Sequence, residues 1–187
     1  LALASPDEQI GVSITAADAS GPEYSVMYRG KPLIEPSRLS FDLAEGGPLG
    51  PGLRITGVKR SRRDKTYAVF PGKTSQARDH CNEAVVSLAE PEGLKRRVDL
   101  VFRAYDDGVA FRFRFPKQAG LKSLTVREER STFAFAGNPT AWALPVPGYQ
   151  THYEFEYRPQ PLSWVEPRGL LALPLLLEYA DGTAAAI

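Results

Sequence analysis

The residues best suited to chemistry lie in positions 151–157 (THYEFEY), where Glu154 and Glu156 accompany His152. Paired carboxylates carry out glycoside hydrolysis when they stand roughly 5–9.5 Å apart across the scissile bond. Residues two apart on an extended strand are about 6.5–7 Å apart, so distance alone permits the pair. Catalytic carboxylates flank the bond, however, whereas two neighbours on one strand face lie on the same side of it, and this argues against catalysis here. Aromatic rings offer the other sugar chemistry, stacking. Trp142 and Tyr149, set beside Pro and Gly, are expected on a rim, while Tyr153 and Tyr157 are expected to pack inward with Phe155. Trp142, Tyr149, His152 and Glu154 are therefore the candidates for carbohydrate contact or for a domain interface.

A second concentration of reactive groups is Arg78-Asp79-His80-Cys81-Asn82-Glu83. A zinc site wants three or four ligands, and the whole chain has two histidines and one cysteine. A Cys-His nucleophile is disfavoured because adjacent strand residues face opposite ways. The expectation is a polar strand end held by hydrogen bonds and ion pairs. Gly72-Lys73-Thr74 looks like the end of a phosphate-binding loop, but the glycine required at position 67 is Tyr67. Residues 59–65 (KRSRRDK) read as a solvated hairpin tip. A net charge of +1 and the lack of interleaved aromatics argue against nucleic acid as a partner.

The elements that must position these groups are strands. Residues 98–115 (VDLVFRAYDDGVAFRFRF) alternate on both sides of an Asp-Asp-Gly turn, the pattern of a β-hairpin. Val98, Leu100, Phe102 and Ala104 share one face, as do Val109, Phe111, Phe113 and Phe115, so paired positions must sum to an odd number. Two registers satisfy that parity. A two-residue Asp107-Gly108 loop sets Arg103 opposite Arg112. A four-residue loop, residues 105–108, sets Asp99 opposite Arg114 and is favoured by charge, with Gly108 in the left-handed region. Phe111 and Phe113 are expected to be buried.

Around this hairpin, alternation predicts strands at 10–15, 24–28, 39–43, 53–58, 66–70, 84–88, 121–127 and 132–135. Residues 46–52 (GGPLGPG) and 71–83 read as loop and polar stretch, and Asn138-Pro139 opens a loop reaching Trp142. Residues 151–157 read as a strand with an aromatic face. The apolar run 170–179 reads as a strand covered on both faces, with a bulge or edge at Pro174. Asp181-Gly182 turns into a last strand at 183–187. Sixteen Gly, sixteen Pro and little helical periodicity make this an all-β sandwich, one domain over residues 1–187. No apolar run approaches the roughly 20 residues of a membrane span, and Leu1-Ala2-Leu3-Ala4 is too short for a signal-peptide core.

Ser5-Pro6-Asp7, the run from Arg78 to Glu83, Phe102-Arg103-Ala104-Tyr105-Asp106-Asp107-Gly108-Val109-Ala110-Phe111-Arg112-Phe113, Ala141-Trp142, Tyr153-Glu154 with Tyr157, and Asp181-Gly182 occur in this order and at these intervals. Together they resemble the N-terminal domain of glycoside hydrolase family 97, which holds α-glucosidases and α-galactosidases. The departure is Cys81, where the family usually has an aromatic residue. The resemblance implies a β-super-sandwich of the galactose-mutarotase type set before a catalytic (β/α)₈ barrel. The barrel would carry both catalytic carboxylates and a calcium ion, to which the N-terminal domain lends one glutamate from beyond Ile187. No catalytic residue, metal ligand or cofactor is then expected within this chain. The resemblance further implies a periplasmic or secreted bacterial enzyme, with the barrel as the domain's partner and an α-linked oligosaccharide at the interface. The alternative is an independent carbohydrate-binding module using Trp142 and Tyr149.

Overall fold

A computed structural model of the chain describes residues 1–17, 20–119, 121 and 123–187. They form two compact units, Leu1–Ala134 and Phe135–Ile187. The fold is all-β, in several antiparallel sheets, and has no helix of seven or more residues among the described residues. None of its helices could therefore cross a membrane.

The first unit contains β1 (Ala2–Ala4), β2 (Ile10–Ala17), β3 (Gly21–Tyr28), β4 (Lys31–Arg38), β5 (Phe41–Leu43), β6 (Arg54–Ala68), β7 (Gln76–Ala89), β8 (Arg97–Tyr105), β9 (Gly108–Arg114) and β10 (Val126–Glu129), with β11 (Ala134–Phe135) at its boundary. One sheet runs β1-β2-β3-β4-β11, a second runs β6-β7-β8-β9, and β10 pairs with β5. The two larger sheets close on each other through Val12, Ile14 and Tyr24 from one and Val86, Leu100 and Phe102 from the other, all buried. Tyr24 sits at the centre, its ring 5.9 Å from Phe102 and 5.4 Å from Phe111. Its hydroxyl donates to the carbonyl of Thr132 at 3.1 Å, so the ring buries its area while its polar end finds a partner. The glycine-rich segment 46–52 is a loop as expected. Its backbone presses on Gly21, where a Cβ would lie 2.1 Å from the carbonyl oxygen of Gly50.

The β8–β9 hairpin takes the expected register, Asp99 opposite Arg114 and Phe102 opposite Phe111. Pairing continues one rung further than expected, to Tyr105 opposite Gly108, leaving Asp106 and Asp107 as the turn. Gly108 is consequently a ladder residue and lies outside the left-handed region, against expectation. Phe111 and Phe113 face the core side but are half-buried rather than buried, because β9 is the outer strand of its sheet. Asp99, itself buried, accepts from Arg114 Nη2 at 2.8 Å and from Ser87 Oγ at 2.8 Å. Arg114 is half exposed, so Arg114→Ala should cost only about 0.2–1 kcal/mol in a urea melt.

Several strands depart from the sequence expectation. Residues 59–65 are not a tip: β6, 15 residues long, runs through them, and β7 starts at Gln76, inside the stretch read as polar, so that the run from Arg78 to Glu83 lies in a strand as expected. Basic β6 positions stand opposite the polar β7 run, Arg63 beside Cys81 and Lys65 beside Asp79. β4 was also not expected; its Pro32 and Pro36 break the alternation that marks a strand.

The second unit is a sheet of order β13-β12-β14-β15, with β12 (Thr140–Pro145), β13 (Arg158–Pro161), β14 (Leu171–Glu178) and β15 (Ala184–Ala186). Its core is Ala141, Ala143, Leu175 and Leu177, packed by Leu162, Val165 and Tyr179 among others. β14 is buried on one face only: Leu173 is 70% exposed, so the two-sided cover expected from its continuous apolar run is not present within the unit. Pro174 does sit in a bulge, since Leu176 opposes Trp142 while Ala172 opposes Leu144. The turn at Asp181-Gly182 is formed as expected, with Gly182 at φ +82°.

Candidate functional site

The four candidates from the sequence fall into two places. Trp142 belongs to β12 rather than to a loop, is half-buried, and donates its indole Nε1–H to Glu178 Oε2 at 2.7 Å across the β12–β14 pair. Tyr149, His152 and Glu154 lie together in residues 146–157, outside any strand. The expected strand over 151–157 does not form there. Tyr153 has φ +57°, which takes the chain out of the extended conformation, and no ladder partner is present.

This loop is held by its own side chains. Tyr153 Oη donates to the carbonyl of Tyr149 at 2.8 Å, and the His152 ring stacks on Phe155 with centroids 4.6 Å apart. Tyr149 is 84% exposed, and Tyr153, Phe155 and Tyr157 also face solvent, so the inward packing expected of Tyr153 and Tyr157 is not found. His152 Nδ1 accepts the backbone N–H of Glu154 at 3.0 Å, which leaves that nitrogen without a proton to share with the Glu154 carboxylate 4.0 Å away. The histidine and the carboxylate are thus neighbours without forming an acid–base dyad. No hydrogen bond or ring contact joins Trp142 to this loop among the described residues. The loop offers apolar faces and polar edges, the chemistry of contact rather than of bond cleavage.

The most organised polar cluster is elsewhere, on the outer face of the β6-β7-β8-β9 sheet. Glu83 on β7 accepts from Arg103 Nε of β8 at 2.8 Å, from Arg63 Nε of β6 at 3.0 Å and from Ser61 Oγ at 3.4 Å. One rung along, Asp79 accepts from Tyr105 Oη at 3.0 Å and lies within 4 Å of both guanidinium groups. Burial pushes the Glu83 carboxyl up, but Arg103 and Arg63 outweigh it and hold the group below the usual carboxylate range. The Arg103 guanidinium is held still more firmly protonated by Tyr105 and Glu83. Cys81, between these rungs, is wholly buried, and burial pushes its thiol up, so it is no nucleophile.

His80 points to the opposite face, its Nδ1 3.5 Å from Asp106 Oδ2 and its Nε2 3.1 Å from Arg62 Nη2. This separation rules out a Cys-His pair. Every buried side-chain nitrogen and oxygen among the described residues has a partner, and the cluster is saturated, which suits it to locking strands together. Sequence reading located the β7 half of it as ion-pairing residues. It missed Arg63, whose signal was the basic run lying one strand away. Among the described residues there is no group of three or more His, Cys, Asp or Glu that could hold a metal ion.

The family model described as Glycosyl-hydrolase 97 N-terminal matches residues 3–187. A retaining alpha-galactosidase of Bacteroides thetaiotaomicron is 27% identical over 194 residues, covering 99% of this chain and 28% of its own length. A probable retaining alpha-galactosidase of Streptomyces bingchenggensis is 34% identical over 113 residues, 60% of this chain and 17% of its own. A glycoside hydrolase family 97 enzyme of Pseudoalteromonas sp. strain K8, solved with acarbose and with panose, superposes with a TM-score of 0.89 at 30% identity, covering 98% of this chain and 27% of that one. A beta-arabinopyranosidase structure superposes at 0.87 with 26% identity, covering all of this chain and 31% of that one. The chain thus spans less than a third of the length of these relatives.

Proposed function

The chain belongs to the glycosyl-hydrolase 97 N-terminal family, and from that membership we propose that it is the non-catalytic N-terminal domain of an α-glycosidase, packing on a catalytic (β/α)₈ barrel and helping to wall its sugar site. The observation that carries this reading is the match over residues 3–187 by a chain that spans only 28% of a full-length relative. The absence of an acid–base dyad at His152 and Glu154 agrees with it. So do the exposed apolar side chains of the second unit, Tyr149, Trp164 and Leu173, since large exposed groups mark interaction surfaces. The α-linked oligosaccharide would meet this domain through the Tyr149 loop. We place the parent enzyme in the periplasm or outside the cell, where such oligosaccharides are met. Calcium would serve the intact enzyme.

The test is turnover. The purified chain should not hydrolyse nitrophenyl α-galactosides or α-glucosides, whereas the gene continued past Ile187 should. Activity that stays with the chain through rigorous purification would overturn the reading. Because Tyr149 is 84% exposed, a second reading, an independent carbohydrate-binding module, predicts retardation of the chain in gels containing α-glucan and its loss in Tyr149→Ala.

A further inference from the structure

The β6–β7 hairpin outruns its sheet. β8 stops pairing at Tyr105 opposite Cys81, while β6 and β7 continue for five more rungs, from Asp64 opposite His80 to Ala68 opposite Gln76. At about 3.3 Å per residue this is a two-stranded arm of about 15 Å, closed at its tip by residues 69–75. A free two-stranded hairpin is marginally stable in water, and this one is anchored at its root. Glu83, with its side chain 10% exposed, together with Arg63 and Arg103 ties β6, β7 and β8 together just where β8 ends. The clamp fixes the direction in which the arm projects.

What the arm presents is unlike a solvated tip. Phe70 is 98% exposed and Tyr67 57% exposed. From Asp64 to His80 the arm carries Lys65, Lys73 and Arg78 against Asp64 and Asp79, and the four basic residues Lys59, Arg60, Arg62 and Arg63 stand at its root. Arg60, Arg62, Arg63 and Arg78 are held by partners within the domain. Of the arm's own cations, Lys65 and Lys73 have no ion pair among the described residues. An aromatic anchor inside a cationic rim is the layout of a binding hot spot.

We propose that this arm docks on the catalytic part of the same polypeptide, Phe70 entering an apolar socket rimmed by carboxylates. The inference rests on the reading of the chain as one domain of a longer enzyme. Two observations select this occupant. The relatives are more than three times as long as the chain, so in them further polypeptide is covalently at hand. A second copy would bring one basic arm against another, and like-charge contacts oppose association. A direction fixed at the root suits a neighbour whose position never changes.

The experiment uses the intact parent enzyme. Hydroxyl-radical labelling read residue by residue should modify Phe70 and Tyr67 about fivefold more slowly than in the same enzyme unfolded in urea, as for groups at the core of an interface. Phe70→Asp, a surface change for the domain itself, should raise amide exchange across residues 66–76 by about tenfold. Labelling of Phe70 at the unfolded rate in a full-length enzyme overturns the docking arm and leaves the domain assignment standing. Protection that disappears on dilution identifies a second copy and overturns the chosen occupant. An intact mass no larger than this domain overturns the domain assignment and this inference with it.

Discussion

Phe102→Ala should lower the unfolding free energy by about 3–5 kcal/mol, the range for truncating a large aromatic side chain in a packed core. Phe102 is wholly buried and heads the fully buried side chains by size. Its ring lies between the two sheets of the first unit, 5.9 Å from Tyr24 and 5.5 Å from Phe111. The hole left behind cannot easily close. Tyr24 is tethered through its hydroxyl to Thr132, and Phe111 is fixed by the ladder opposite Phe102 itself. The neighbouring Phe113→Ala should cost less, although its ring centroid is only 4.2 Å from that of Phe41, because its side chain stays partly exposed in the folded state and so has less buried area to lose. Urea melts of both variants provide the check. A loss below about 1 kcal/mol for Phe102→Ala would mean that the two sheets do not pack on this ring.

That pair of residues also shows what was legible in the sequence. Alternation identified the inward face of β8 and β9, and charge chose the register, because both are local facts of the strand pair. Depth of burial was not local: whether Phe113 is covered depends on which strand lies at the sheet edge, and no residue in 98–115 encodes that. The β6–β7 arm was only partly legible for a related reason. Residues 66–70 read as a strand and β6 does run to Ala68, but 59–65 read as a tip, because alternation reports one wet and one dry face and β6 is exposed on both faces through almost all of that run. Positions 151–157 failed in the opposite sense. They alternate as THYEFEY without being a strand, since Tyr153 takes a left-handed conformation and no neighbour offers a ladder. Among the candidate site residues, the exposure of Tyr149 followed from its glycine and proline neighbours. The Trp142 bond to Glu178 depended on a pairing 36 residues away.

The saturated clamp yields the other large effect. Glu83→Gln keeps the shape of the side chain and removes its charge, leaving Asp79, at longer range, as the carboxylate beside Arg63 and Arg103. Hydrogen bonds to charged groups contribute about 1.5–3 kcal/mol each. Loss of a partly buried partner to two guanidiniums would cost more than one such bond were both arginines not partly exposed, at 37% and 26% of their side chains. A net loss of about 2–3 kcal/mol at neutral pH is expected. Its pH dependence separates charge from packing. The folded Glu83 carboxyl is held below its ordinary range, so on acidification the unfolded chain takes up the proton first and stability falls. The gap between the parent chain and Glu83→Gln should be full above about pH 5, near the upper end of the unfolded glutamate titration. It should narrow as the pH drops through the depressed folded value. The other depressed carboxyls, such as Glu90 beside Arg96, are common to both proteins and cancel in the difference. Melts at pH 7, 4 and 3 would show the narrowing; a gap unchanged at pH 3 would assign the loss to packing and remove the charge from the clamp.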